Sequence, residues 1–451
     1  SPLWGEGRVR GIGKETRDLG CRPNFGRHFC FIGIEGGISM ISVEEALSLI
    51  LEDISEIGFE KVDIKEALGR VIAEGIHAKR NIPPWDNSAM DGYAVRAEDV
   101  KDASKESPAI LKVVESLPAG YVSEKRLNPG EAVKIMTGAL APDGADTVVM
   151  VEYTERDGDR VKIFKNAAKG DHIRRTGEDV REGELVIKKG TLIRPSEIGM
   201  LASIGRAVVS VHQRPRVAVL ATGDELVDLD EEICGAKIIN SNTYALGAQV
   251  QEAGAIPILL GIARDREDEL ERRLRLGMNA DIIITSGGVS VGDYDYVKDV
   301  VERLGGGLKL WKVAIKPGKP LAFSMLNGRP FFGLPGNPVA SMVTFELFVR
   351  PAILKMMGHK NIFRPIITAT IKGDLKKKEM RRYFLRAAVQ SERDEYIVTP
   401  TEGQGSHMMK SMVDANGLII FHENETEIKS GSKVKVMLLD RGFEYRKEAG
   451  Y

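Results

Sequence analysis

Lys316 and Lys319 flank a Pro-Gly turn in IKPGKPLAF. Such a turn lets both ammonium groups face one space, where they could clamp a phosphate or another oxyanion. In isolation an ordinary solvated turn reads the same. A second anion signal lies in ITSGGVSVGDYDYVK. There Ser286, Gly287, Gly288, Ser290 and Gly292 run into a helix whose first turn holds Asp293 and Asp295. Glycines permit close backbone approach, and the unbonded N–H groups at a helix start favour an anion. The plainer reading is a glycine-rich turn with acidic helix caps. A third segment, GLPGNPVAS, sets Pro335 and Pro338 around Gly336–Asn337, with Pro338 opening a long helix.

Carboxylates are mixed among these anion signals. ATGDELV carries Asp224 and Glu225, and ARDRED carries Asp265. Carboxylates repel phosphate. The two coexist best around a divalent cation that is held by hard oxygen ligands and bridges phosphate oxygens. Glu225, Asp265 and Asp295 are the candidate ligands. Histidine is scarce in these loops and the cysteine nearest them is Cys234, which disfavours a zinc hydrolase or a thiol enzyme. No G-x-S-x-G, H-E-x-x-H, Walker-type or dinucleotide-binding glycine motif stands at a suitable strand end.

Four further segments hold polar groups in loops. PPWDNSAMDGYAV, residues 83–95, places Asp86 and Asp91 among an amide, a hydroxyl and a glycine, without helical or strand periodicity. IMTGALAPDGADTVV puts Thr137 and Gly138 at a strand end. HIRRTGEDV supplies Arg174, Arg175 and Asp179. EGQGSHMMKSM offers Gly403, Gly405, Ser406 and His407. Each alone also reads as an ordinary turn, and His407 as a hydrogen-bonded surface histidine.

The elements that must position these loops follow from periodicity. Ser42 before VEEALSLILEDI is a helix N-cap with Glu45 as its capping-box partner. From about residue 95 to 175 short strands are punctuated by Gly, Pro, Asp and Asn. Near residue 214 strands begin to alternate with helices: RVAVLAT, NTYALGAQVQEAG, AIPILLGIA, REDELERRLRLGM, DIIITSGG and DYDYVKDVVERLG. That pattern predicts a parallel sheet covered on both faces, with ligands at the carboxyl ends of the strands. NPVASMVTFELFVRPAILKMM reads as one long helix. From about residue 362 the chain returns to strands, which suggests a closing β-barrel.

The chain has 451 residues, too many for one ordinary core, so three or four domains are expected. Lys and Arg number 64 against 65 Asp and Glu, a balance that argues against non-specific nucleic-acid binding. Cys21, Cys30 and Cys234 form no disulfide framework, which fits a cytoplasmic setting. Cys21, His28 and Cys30 lack a fourth metal ligand. No run approaches a membrane span, and no signal peptide is visible. Residues 1–39 are rich in Gly and Arg and without periodicity. They read as an extension of unknown role or an over-read start, with the fold beginning near Met40.

Eight segments, PPWDNSAMDGYAVR, IMTGALAPDGADTVV, IRRTGEDV, ATGDEL, ITSGGVSVGDYDYVK, IKPGKPLAF, GLPGNPVAS and GQGSHMMKSM, stand in this order. Together they resemble the molybdopterin molybdenumtransferases, whose module also forms the C-terminal part of gephyrin. The resemblance runs from about Met40 to the C-terminus. It implies a multidomain α/β plus β fold. Residues 40–80 and 176–212 would form a helical and linker domain and 81–175 a β-rich domain. Residues 213–360 would form a doubly wound α/β domain similar to molybdopterin-binding adenylyltransferases, and 361–451 a β-barrel.

The resemblance further implies a homodimer whose active site lies between the α/β domain of one subunit and the β-rich domain of the other. The DNSAMDGY loop would then be a wall supplied in trans, with Asp86 its functional acid. The implied reaction inserts molybdate into adenylylated molybdopterin with Mg2+ assisting, hydrolyses the adenylate and releases AMP. Matched functional positions are Asp86, Thr137, Asp179, Glu225, Asp265, Asp295, Pro335, Pro338 and Ser406. Lys316 and Lys319 would hold the oxyanion, helped by Ser406 and by Arg382 or Arg386. Transient partners would be a molybdopterin adenylyltransferase and acceptor molybdo- or tungsto-enzymes, with no nucleic acid and no membrane. Three rivals share the fold: insertion of tungstate, a scaffold without catalysis, and adenylyltransferase activity of the α/β domain. The matched acids and lysines argue against a pure scaffold.

Overall fold

The structure is a computed structural model that describes residues 33–35, 38–288, 296–307, 309–392 and 395–444. Its centre is an eight-stranded sheet in the order Gly33–Glu35, Ile38–Ile41, Lys309–Val313, Pro320–Leu326, Arg329–Leu334, Ile282–Ser286, Arg216–Thr222, Ile256–Ala263. The last four run parallel. The strands Lys309–Val313, Pro320–Leu326 and Arg329–Leu334 pair antiparallel. The sheet is therefore mixed, not parallel throughout. The connections explain it: the Lys316–Lys319 turn and the two-residue Asn327–Gly328 turn are too short for a parallel crossover. Both Asn327 and Gly328 have positive φ, as a tight hairpin turn requires.

Alternation along the central strands fills two cores. Val217, Val219, Ile282 and Ile284 face helix Asn242–Glu252 and the long helix that starts at Pro338. Ala218, Leu220 and Ile283 face helices Glu267–Gly277 and Tyr296–Arg303. Both faces are covered, so the strands read as near-continuous apolar runs. The long helix is not uniform. Pro338–Thr344 is α-helical, Phe345–Val349 forms a π turn, and Arg350–Met356 returns to α. Pro351 has no N–H for the preceding turn, and a widened turn accommodates the gap.

The N-terminal helix Val43–Asp53 is capped by Ser42, whose Oγ accepts from Glu45 N at 3.1 Å. Its buried Ala46 and Ile50 join the core of the central sheet. Residues 59–82 pack instead with 176–212, where Ile72, Ile76, Val180, Ile193, Leu201 and Val211 share a smaller core. The antiparallel strands Gly33–Glu35 and Ile38–Ile41 extend the central sheet, so strand pairing reaches back before Met40. Cys21, His28 and Cys30 lie outside the described residues.

Strands between Gly92 and Ile163 form a six-stranded sheet with apolar clusters on both faces. At the C-terminus five strands close on themselves: Arg382–Glu392, Glu395–Pro400, Ile366–Ile371, Lys433–Leu438 and Gly417–Phe421, which pairs back to the first. Leu385, Ala387, Val389, Ile419 and Val436 fill this barrel. The short strand Ile315–Lys316 of the α/β region pairs with Arg382–Tyr383, so the two regions share backbone bonds. Among the described residues no helix is long and apolar enough to cross a membrane.

Candidate active site

At the carboxyl ends of the parallel strands lies a cavity of about 1030 Å³. Glu225, Asp265, Ser286, Gly287, Gly288, Lys316, Lys319, Pro335, Pro338 and Ser406 all line it. Nine of these ten come from the α/β region, and Ser406 comes from the barrel. Ser290 and Asp295 lie outside the described residues.

The strand ends are packed tightly enough to require glycine. Gly287 has φ +93°, and a methyl there would sit 2.7 Å from the Thr222 carbonyl. Ser286 beside it is buried. Its Oγ accepts from Asn242 Nδ2 at 2.7 Å and donates to the Pro335 carbonyl at 3.4 Å. Asn242 Nδ2 also donates to the Gly336 carbonyl at 2.7 Å. One amide thus staples the Ser286 and Pro335–Gly336 loops to the start of its own helix.

The two acidic loops brace each other. Asp224 N donates to Asp265 Oδ2 at 3.1 Å, and Asp265 N donates to Asp224 Oδ1 at 3.3 Å. Lys237 Nζ donates to the Asp224 carbonyl, and Arg264 Nη1 donates to the Leu226 carbonyl at 2.7 Å. Glu225 folds over Gly223, where a methyl would meet its carboxylate at 2.3 Å. Glu225 and Asp265 therefore bring two hard oxygen donors to one cavity, a set suited to Mg2+. Among the described residues no group of three or more His, Cys, Asp and Glu is gathered as a complete metal site.

Lys316, Lys319 and Arg381 bring cationic side chains to the lining. Lys316 Nζ lies 3.4 Å from Glu379 Oε1 and 3.4 Å from the Tyr383 hydroxyl, and 4.9 Å from the centre of the Tyr383 ring. The turn that carries Lys316 and Lys319 presses on the long helix. A methyl on Gly318, at φ +101°, would sit 2.4 Å from Thr344 Oγ1. The barrel contributes Arg381, Gln404, Ser406 and His407. The Ser406 carbonyl accepts from Val339 N at 3.0 Å, which seats the barrel loop on the start of the long helix.

Neither expected arginine lines the cavity. Arg382 is held by Glu423, at 3.0 Å to each carboxylate oxygen, and by Glu44. Arg386 is fully buried beneath the loop 403–411. Its Nε donates to Ser411 Oγ at 3.0 Å, and its Nη2 donates to the carbonyls of Gly403 at 3.1 Å and Gly405 at 3.0 Å. Burial pushes its pKa down to about 10. The arginine at the cavity is Arg381, which pairs with Glu379. Arg381 stands one residue before the strand Arg382–Glu392, whereas Arg382 and Arg386 lie within it on one face, and the start of that strand is not marked in the sequence. Asn242 was also missed, because NTYALG reads only as a helix start. Its place directly beyond a strand end was the available signal.

Asp86, Thr137 and Asp179 do not line this cavity. Asp86 and Thr137 sit on the β-rich region and Asp179 where the 176–212 segment joins it, in loops that bond to one another. Asp86 Oδ1 accepts from Thr176 N at 2.8 Å and Thr176 Oγ1 at 3.0 Å, and Oδ2 accepts from Arg175 at 2.6 Å. The bond from the Thr176 backbone, with help from Arg175, holds the Asp86 carboxyl below the usual carboxylate range. Thr137 donates through both N and Oγ1 to Asp91 Oδ1, each at 2.7 Å. Asp179 N donates to the Ile82 carbonyl at 3.0 Å. Trp85 projects from the same loop, 52% exposed.

Comparison with known proteins identifies the family. Residues 41–205 match the MoeA N-terminal region (domain I and II), 218–355 a probable molybdopterin binding domain, and 368–439 the MoeA C-terminal region (domain IV). The chain is 38% identical over 412 residues to a molybdopterin molybdenumtransferase of Nostoc, covering 89% of this chain and 94% of that protein. It is 37% identical over 404 residues to the Bacillus subtilis molybdopterin molybdenumtransferase, covering 88% and 94%. A crystal structure of a Pyrococcus horikoshii MoeA protein superposes with a TM-score of 0.77 at 34% identity, over 89% of this chain and all of that one. With three family regions in order and full-length relatives above 35% identity, the chain belongs to the MoeA family of molybdopterin molybdenumtransferases.

Proposed function

We propose that this protein inserts molybdate into adenylylated molybdopterin, with hydrolysis of the adenylate and release of AMP. One observation carries the reading: a single cavity joins the Gly287–Gly288 strand end and the carboxylates Glu225 and Asp265 to a cationic end made by Lys316, Lys319 and Arg381. The glycine loop lets the pyrophosphate approach the backbone. Lys316, Lys319 and Arg381 hold the oxyanion, and Ser406 orients it. Pro335 and Pro338 keep the wall between the two ends rigid. Glu225 and Asp265, together with Asp295, would hold Mg2+, which supplies charge neutralisation for the pyrophosphate.

A second copy of the chain completes the site in this proposal. Asp86, Thr137 and Asp179 lie on loops outside the cavity of their own subunit, and the exposed Trp85 marks that face for burial. Asp86, with both oxygens engaged, holds this trans wall in shape. A cytoplasmic setting fits the lack of a disulfide framework. The protein would take its substrate from a molybdopterin adenylyltransferase and pass its product to acceptor molybdo- or tungsto-enzymes.

The test is AMP release from adenylylated molybdopterin with Mg2+ and either molybdate or tungstate. Release that depends on the oxyanion is expected, and the preferred oxyanion sets the metal. Folded, dimeric protein that releases no AMP from intact substrate would sink the insertase reading.

A further inference from the structure

The seam between the long helix and the barrel is mostly apolar. Phe384, Leu418, Ile420 and Met437 on the outer face of the barrel share one core with Phe345 and Phe348. Apolar contact is non-directional. Backbone pairing of Ile315–Lys316 with Arg382–Tyr383 pins one edge of this boundary, and the apolar contact adds no direction of its own along the rest.

One charged group is set into this seam. Arg364, in the link between helix and barrel, donates Nε to Glu346 Oε2 at 2.9 Å. Its Nη2 reaches Glu252 Oε1 at 2.8 Å and Glu346 Oε1 at 3.3 Å, and its Nη1 reaches the Leu439 carbonyl at 2.9 Å. Glu346 sits in the π turn, all five residues of which are buried, and its Oε1 also accepts from Gln249 Nε2 at 2.9 Å. A single planar fork thus ties two helices of the α/β region to the end of the last barrel strand. A buried ion pair is a poor source of stability, and its best-attested use is to fix register.

Register matters here because the cationic end of the cavity is split across the seam. Lys316 and Lys319 belong to one side, Arg381 and Ser406 to the other. We propose that Arg364, paired with Glu346, is a positioning residue that sets the barrel's register on the long helix and so fixes how Arg381 and Ser406 face the two lysines. The inference rests on reading that end as the oxyanion site.

The experiment compares native protein with Arg364→Met in two readouts. The first is the KM for molybdate against that for adenylylated molybdopterin. The second is amide hydrogen exchange. Arg364→Met is expected to raise the molybdate KM about tenfold while the other KM stays within about twofold, because small displacements of positioned groups are costly. Exchange should rise in residues 403–411 and stay unchanged in the barrel strand Gly417–Phe421. Arg364→Lys, which keeps charge without the fork, should fall between. If Arg364→Met does not fold, Glu346→Gln gives the same test at constant shape. Unchanged exchange at 403–411, or a uniform rise across the barrel, overturns the register role. Raised exchange at 403–411 with an unchanged molybdate KM supports the register role and instead removes the oxyanion reading of that end.

Discussion

Arg386 lies beneath the loop 403–411 with three hydrogen bonds to neutral oxygens, one from Nε and two from Nη2, and its third nitrogen, Nη1, finds no partner among the described residues. Its work is to shape the loop that carries Ser406, whereas Arg381 faces the cavity. The two should therefore fail differently. Arg386→Met should lower stability by about 2 kcal/mol, the lost charge-assisted bonds being partly offset by relief of a buried charge. Arg381→Met should leave the melting temperature unchanged and weaken oxyanion binding. Melting curves beside molybdate titrations check both. Asp86 gives a pH prediction. Its carboxyl is held below the ordinary value, so its contribution is full above about pH 4 and fades as pH falls through the lower folded value. Asp86→Asn should shift the urea midpoint at neutral pH, and the difference from native protein should vanish in acid. The residue types of the site were legible because lysines, glycines and carboxylates stood at strand ends. The choice among three neighbouring arginines was not, because it depends on where the strand Arg382–Glu392 begins and on what covers its outer face.

Elements were legible to the extent that their period was clean. Buried runs such as RVAVLAT and DIIIT appear as the central strands Arg216–Thr222 and Ile282–Ser286. The mixed pairing of the sheet was also within reach, since six residues between Val313 and Pro320 cannot cross over. The π turn at Phe345–Val349 was hidden, because it answers to Pro351 and to packing on both sides at once. Strand ends are also where a single methyl should do most harm. Gly287→Ala forces a side chain into φ +93° and against the Thr222 carbonyl. It should cost about 2 kcal/mol or more, seen as a lowered melting temperature.

For the whole molecule, the decisive matter is that Asp86 does not line the cavity that Glu225 lines within one chain. If two copies share each site, inactive Asp86→Asn and inactive Glu225→Gln subunits should complement when mixed and allowed to exchange. Half the dimers would be hybrid and one of their two sites intact, so activity should recover to about a quarter of the native value. A site built within one chain predicts no recovery. The Lys316 strand carries a last consequence. It lays its backbone against Tyr383, some 67 residues later, and the cavity is closed by Ser406 later still. During synthesis the part of the cavity lined by Glu225, Asp265 and Gly287–Gly288 is laid down first, and the part lined by Arg381 and Ser406 exists only once the final stretch has left the ribosome. A nascent or C-terminally clipped chain would therefore hold a half-built pocket, and under the proposed function it would be able to meet the pterin nucleotide before it can meet the metal.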